Sequence, residues 1–285
     1  MNKGEIAMFK DVWFITGAST GLGKELVQYL LKQNCRVVAT SRNPSDIIKY
    51  IPKDVVQDNL LVLPLDVTNI KEIQNTVKIV LKKWNKVDVL VNNAGYAYFS
   101  SVEFANNEEA RKMFDVNFWG VKNVLDSILP VMRKQHHGHI MNVSSLGGLR
   151  AFAGFGYYHA TKFALEGITE SLALEVKPLG IDITLLEPGD FKTDFAGRSA
   201  VANKQVEIPY EGTAGVNIQN LRNLSGNQPG DPKKFAKVVY EMHQKKDKPF
   251  RLLLGSDAYE RAIEKLDTMQ KSFKKNRSIT SSTDY

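Results

Sequence analysis

Seven short runs of mainly apolar residues punctuate this chain, and stretches with the apolar spacing of helices lie between most of them. The runs are Val12 to Ile15, Arg36 to Thr40, Leu60 to Leu65, Val87 to Val91, Ile140 to Val143, Ile181 to Leu186 and Phe250 to Leu254. A strand with no polar face must be covered on both sides, which is the condition of a parallel sheet between two helical layers. Strand–helix alternation then implies right-handed crossovers and an α/β fold, a doubly wound parallel sheet of about seven strands. Between the runs, residues 69–84 carry Ile73, Val77, Val80, Leu81 and Trp84, and residues 108–133 read as one long helix. A helix beginning near Tyr158 runs through Val176 and stops at Lys177-Pro178-Leu179-Gly180; Asp231-Pro232 caps another through about Gln244, and Tyr259, Ile263 and Leu266 mark a last one. The pattern weakens from Asp190 to about Gly230, and a stretch that long without clear structure predicts a substrate lid over 190–230. The Ser/Thr-rich tail, 276–285, is expected to fray.

The 285 residues are read as a single domain, since every chemical motif below follows a strand of one series. The net charge of +7 is spread as Lys and Arg interleaved with Asp and Glu, with no basic and aromatic cluster, so no nucleic-acid partner is expected. A single cysteine, Cys35, excludes an intrachain disulfide and opens an apolar run, which predicts a buried thiol. His136, His137 and His139 lack metal-ligand spacing and read as a turn, so no metal is expected. No apolar run approaches eighteen residues and the start through Lys10 has no signal-peptide core, which predicts no membrane span and a cytoplasmic location.

Thr16 to Gly23, with glycines at 17, 21 and 23, lies between the first strand and a stretch carrying Leu22, Leu26 and Leu30 at helical spacing. Strand, glycine turn and helix set backbone N–H groups and a helix N-terminus against a pyrophosphate, although the glycine spacing departs from the commonest dinucleotide fingerprint. The second strand ends at Ser41-Arg42, where an acidic residue would select an unphosphorylated ribose; Ser and Arg there predict the 2′-phosphate of NADP. Of ten tyrosines, only Tyr158 has a lysine, Lys162, four residues on and so on the same helical face. A free phenol with a pKa of ~10 is a poor acid–base at neutral pH. A neighbouring ammonium favours its ionised form, so Lys162 reads as the tuner of Tyr158. Ser145, at the end of the fifth run, is placed to hydrogen-bond a substrate oxygen.

These motifs together resemble the short-chain dehydrogenase/reductase superfamily in its compact single-domain, Rossmann-like branch, over about Val12 to Phe195. The agreement is strongest in Thr16 to Gly23, Asn92 to Gly95, Asn117, Ser145, Tyr158, Lys162 and Pro188-Gly189. The resemblance implies Tyr158, Lys162, Ser145 and Asn117 as the catalytic set, with Asn117 in a proton relay with Lys162 and a water. It implies cofactor contacts from Gly17, Ser19, Thr20, Gly21, Leu22, Gly23, Arg42, Asp66 at the adenine, Val67, Asn93 near the ribose, Tyr158, Lys162, Pro188, Gly189 and Thr193. It also implies a homo-oligomer acting on a small carbonyl or alcohol substrate. Lys162 to Gly167 is further similar to 17β-hydroxysteroid and retinol dehydrogenases and to bacterial ketoreductases. The expected function is NADP(H)-linked hydride transfer; the alternative is a regulatory protein that senses NADP(H) without turnover.

Overall fold

Apolar residues alternate between two layers along each strand, and a computed structural model places helices over both. It describes residues 11–52, 57–193, 195, 200–202 and 208–285. The main sheet comprises β1 (Val12–Ile15), β2 (Arg36–Ser41), β3 (Leu60–Pro64), β4 (Val89–Asn92), β6 (Gly138–Val143), β7 (Ile181–Pro188) and β9 (Arg251–Leu254), ordered β3-β2-β1-β4-β6-β7-β9. All six pairings are parallel. A small parallel pair, β5 (Ala97–Phe99) with β8 (Ala200–Ala202), stands apart from it. Trp13 and Ile15 enter one core with α1 (Gly21–Lys32) and α8 (Pro232–His243). Val12 and Phe14 enter the other, with α3 (Ile70–Trp84), α5 (Gly120–Gln135) and α6 (Gly156–Val176). The remaining helices are α2 (Pro44–Ile48), α4 (Asn107–Phe114), α7 (Val216–Leu224), α9 (Ser256–Lys275) and α10 (Arg277–Ser281).

The chain builds outward from β1 to β3, then returns to β4 on the other side of β1. Strand order therefore reverses between β1 and β4, and a crevice opens beyond their C-terminal ends, where ligands of doubly wound sheets bind.

Three local readings are corrected, and two further stretches gain described structure. The single helix expected over 108–133 is interrupted by a π turn, Asp115–Trp119, which joins α4 to α5. The widened turn points Asn117 inward while Gly120 lies so close to Val67 that a Cβ there would come within 2.5 Å of its methyl. The fourth strand starts at Val89 rather than Val87, because Val87 is held instead by the Gln135 side chain, through bonds of 3.0 and 2.9 Å. Of the histidines read as a turn, His139 belongs to β6 and is buried, its Nδ1 lying 2.9 Å from His243 Nδ1. Within 190–230 the described residues include α7, whose Ile218 and Leu221 join the apolar cluster of Tyr98 and Phe99; its four apolar side chains, at intervals of two, three and three, make no clear helical stripe. The tail expected to fray carries the exposed helix α10. Cys35 is buried.

Candidate active site

Gly17 and Gly21 have φ of +66° and +55°, the left-handed region open to glycine. A Cβ on Gly17 would also lie 2.7 Å from the Ala94 Cα, so the turn approaches the end of β4 more closely than any side chain permits. Thr16 Oγ1 accepts from the Asn93 and Ala94 amides, both at 3.0 Å, and Asn93 Nδ2 donates to the Gly17 and Thr16 carbonyls at 2.9 and 3.1 Å. The Asn93 side chain thus clamps two strand ends at the crevice; its sequence motif gave no sign of that job, and Thr16 was not among the expected site residues. At the start of α1, the Thr20 side chain makes no capping bond, which leaves the first-turn N–H groups for an anion. This backbone cradle fits a pyrophosphate.

One cleft of about 1370 Å³ runs along the C-terminal strand ends. It is lined by Gly17, Ser19, Thr20, Gly21, Leu22, Arg42, Asp66, Val67, Asn93, Ser145, Tyr158, Lys162, Pro188, Gly189 and Thr193. Of the expected residues, Gly23 and Asn117 stand behind it. Gly23 packs where a Cβ would meet Asn93 Nδ2 at 2.5 Å. Asn117 Nδ2 donates to the Tyr96 carbonyl at 2.9 Å and to Thr161 Oγ1 at 3.2 Å, while its Oδ1 accepts from the Tyr96 amide at 3.1 Å. At the other end, Arg42 is exposed on the rim and the Ser41 hydroxyl donates to the Asn43 carbonyl. Asp66 Oδ1 accepts from the Thr68 amide and hydroxyl, fixing the loop after β3.

Tyr158 and Lys162 project from one face of α6 toward Ser145 at the end of β6. Tyr158 is 8% exposed and Lys162 7%. Lys162 Nζ donates to the Val143 carbonyl at 2.8 Å and lies 5.9 Å from the centre of the Tyr158 ring. Burial pushes the Tyr158 phenol up to about 12, with the Ser145 hydroxyl drawing it back. Burial pushes the Lys162 ammonium down to about 8, opposed by the charge of Glu166 one turn on. Desolvation therefore outweighs the tuning expected of Lys162, whose ammonium is turned to a backbone carbonyl. Ser145 Oγ accepts from the Gly147 amide at 3.0 Å, which anchors its oxygen at the cleft wall. Tyr157, the neighbour lacking a lysine partner, faces a separate smaller cleft.

Other parts of the site carried no sequence signal. Phe99, Phe155 and Phe195 form an aromatic wall beside Tyr158, with ring centres 4.8 Å apart for Phe99–Phe155 and 5.6 Å for Tyr158–Phe195. They come from β5, the loop before α6 and the stretch after β7, so no spacing links them. His159 joins the Gly147 carbonyl and the Phe152 amide, both at 2.9 Å, and shapes the loop beneath Ser145. Behind α6, Arg251 reaches Glu166, Glu187 at 2.7 Å and Glu170 at 2.8 Å, tying the helix to the sheet edge. Burial and the nearby Glu166 charge push the Glu187 carboxyl up.

A family model described as short chain dehydrogenase matches residues 11–204. An oxidoreductase of Botryotinia fuckeliana (strain B05.10) is 36% identical over 269 residues, covering 94% of this chain and 97% of that protein. The crystal structure of a short-chain dehydrogenase from Streptomyces avermitilis superposes with a TM-score of 0.90 at 32% identity, covering 100% of both chains. Two further solved structures of this fold hold nicotinamide cofactors. One, from Burkholderia phymatum, is in complex with NAD (TM-score 0.81, 20% identity, 93% of this chain and 95% of that chain). The other is ElxO with NADP bound (TM-score 0.73, 26% identity, 88% of this chain and 100% of that chain).

Proposed function

We propose that this chain, which belongs to the short-chain dehydrogenase family, transfers hydride between NADP(H) and the carbonyl or alcohol carbon of a fairly apolar substrate, with Tyr158 as acid/base. The observation that carries this reading is the convergence of Ser145, Tyr158 and Lys162 at one end of a cleft whose other end holds the glycine cradle and Arg42. The bound nicotinamide would supply or take the hydride. The Tyr158 hydroxyl gives its proton to the alkoxide that develops on the substrate oxygen, and Ser145 Oγ hydrogen-bonds that oxygen. The Lys162 ammonium stabilises the phenolate left behind and helps hold the cofactor ribose. Asn117 holds the Tyr96 backbone and, through Thr161, α6. The first-turn amides of α1 would hold the pyrophosphate, Asp66 and Val67 the adenosine, and Arg42 the 2′-phosphate. Phe99, Phe155 and Phe195 favour an apolar body on the substrate. The stretch 190–230 is its lid, supported by the cleft-lining side chains of Phe191, Thr193, Phe195, Leu221 and Gln228. We place the protein in the cytoplasm as a homo-oligomer.

The test is oxidation of NADPH by the pure protein against a panel of ketosteroids, retinal, sugars and aliphatic ketones, repeated with Tyr158→Phe. Turnover of at least one apolar carbonyl is expected, and the variant should lose ~10²–10⁴-fold in rate while its NADPH dissociation constant stays the same. Retention of most activity by Tyr158→Phe would remove the tyrosine from the mechanism.

A further inference from the structure

The helix α9 starts inside the fold and ends outside it. Ala258 and Ala262 are buried in contact with Leu146, Leu149, Phe152 and Leu253, whereas every residue from Leu266 to the C-terminus is exposed. Ten residues of isolated helix are marginal in water, so an outer half with no described residue packed beneath it calls for a partner. Its exposed apolar side chains are Tyr259 (59%), Ile263 (40%), Leu266 (59%), Met269 (38%) and Phe273 (66%). At helical spacing they form one stripe along the whole of α9.

The intervals along that stripe are four, three, three and four residues, the same from either end, with Leu266 at the centre. A two-fold interface requires that residue i meet j while j meets i. Antiparallel pairing of two α9 helices about Leu266 satisfies this at every position, setting Tyr259 on Phe273, Ile263 on Met269 and Leu266 on itself. The paired side chains are similar in size, as close packing needs.

Charge selects the same arrangement. The acids of α9, Asp257, Glu260, Glu264 and Asp267, all lie in its first twelve residues, while Thr268 to Lys275 carries Lys271, Lys274 and Lys275 without an acid, followed by Arg277. Asp257 is engaged with the Asp190 amide and Glu264 with Arg150, which leaves Glu260 and Asp267 as the acids nearest the stripe. At 100° per residue, Glu260, Asp267, Lys271 and Lys274 stand on one flank of the stripe and Lys265 on the other, and antiparallel helices bring like flanks together. Glu260 of one copy then faces Lys271 and Lys274 of the other. Parallel pairing would stack cationic ends on each other, and an anionic membrane would attract the outer half but repel Glu260 and Asp267 beside the same stripe.

We propose that the exposed face of α9 is a self-recognition surface on which a second copy of this chain docks its own α9 antiparallel, centred on Leu266. This extends the homo-oligomer of the preceding section to a particular face and stands independently of the proposed chemistry. The test uses full-length protein, with its buried Cys35 as the other thiol. Leu266→Cys should give a covalent dimer under mild copper-phenanthroline oxidation. Phe273→Cys alone should not, but a mixture of Tyr259→Cys and Phe273→Cys chains should give a mixed dimer. By sedimentation equilibrium, Leu266→Glu should halve the particle mass with its circular dichroism unchanged. Lys271→Glu with Lys274→Glu should weaken association, and adding Glu260→Lys should restore it. Self-crosslinking through Phe273→Cys would mean a parallel pair, and an unchanged mass in Leu266→Glu would mean assembly through another face. Cosedimentation of wild type with phosphatidylserine vesicles, lost in Leu266→Glu without a change of mass, would make a membrane the occupant. Each of these three results overturns the proposal.

Discussion

At the scale of single residues, the NADP preference proposed above rests on Arg42. It is exposed at the rim of the cleft, beyond the end of β2, where an acidic residue would instead grip a ribose hydroxyl. Charge-assisted hydrogen bonds to a 2′-phosphate are worth ~1.5–3 kcal/mol, roughly 10- to 150-fold in affinity, and salt screening reduces them at so open a site. Arg42→Ala should therefore weaken NADPH by up to that factor at low salt while leaving NADH nearly unchanged. Adding Ser41→Asp should reverse the preference, because a carboxylate both accepts from a ribose hydroxyl and repels a phosphate. Dissociation constants of both cofactors for wild type and the two variants decide it; equal weakening of NADPH and NADH by Arg42→Ala would assign Arg42 another role. Lys162 shows how differently an exposed and a buried cation behave. Where Arg42 keeps its water, Lys162 lies buried with one backbone carbonyl and the distant Glu166 to offset its lost hydration, and it is pushed down to about 8.

At the scale of elements, two irregular pieces shape the cleft. The π turn Asp115–Trp119 inserts Asn117 between the backbone of Tyr96 and Thr161 of α6, coupling the loop after β4 to that helix. The stretch after β7 crosses the cleft: Thr193 lies 3.5 Å from where a Cβ of Gly21 would be, and Phe195 packs on Tyr158. A segment that touches both the glycine cradle and Tyr158 should tighten when ligand fills the space beneath it. Limited proteolysis is expected to cut within 190–230 in the ligand-free protein, and NADPH with a substrate analogue should slow that cutting severalfold. Equal cleavage rates with and without ligands would make the stretch a plain connection.

At the scale of the whole molecule, the two ends of the sheet carry different polar groups. The C-terminal end carries the cleft; the N-terminal end carries a buried polar chain in which His243 links Asp11 at 3.1 Å to His139 at 2.9 Å, and His139 reaches Thr184 at 3.0 Å. Burial, with the charges of His243 and Lys248, holds His139 well below the usual histidine range. The unfolded chain therefore binds a proton below about pH 6.5 that the native protein refuses, and stability is lost as pH falls through that value. Urea unfolding at pH 7.5 and pH 5 should show a drop in wild type and a smaller drop in His139→Gln. Identical slopes in the two proteins would show that another group governs acid unfolding.

Much of this arrangement is legible in the sequence. Parallel strands buried on both faces leave continuous apolar runs, a cradle for pyrophosphate needs glycines between strand and helix, and a tyrosine and lysine sharing a helical face are four residues apart by geometry. Each of these is a local constraint written in neighbouring residues, which is why the strand series, the glycine turn and the pair Tyr158–Lys162 could be read directly. The strand order, the π turn at Asn117, the aromatic wall of Phe99, Phe155 and Phe195, and the tie of Arg251 to Glu166, Glu170 and Glu187 could not. They join residues tens of positions apart, and such contacts leave no period in one sequence. The ionisation of Tyr158 depended on folding for the same reason. The sequence supplies its cation, but the depth of burial is a property of the packed cleft, and that burial pushes the phenol up to about 12.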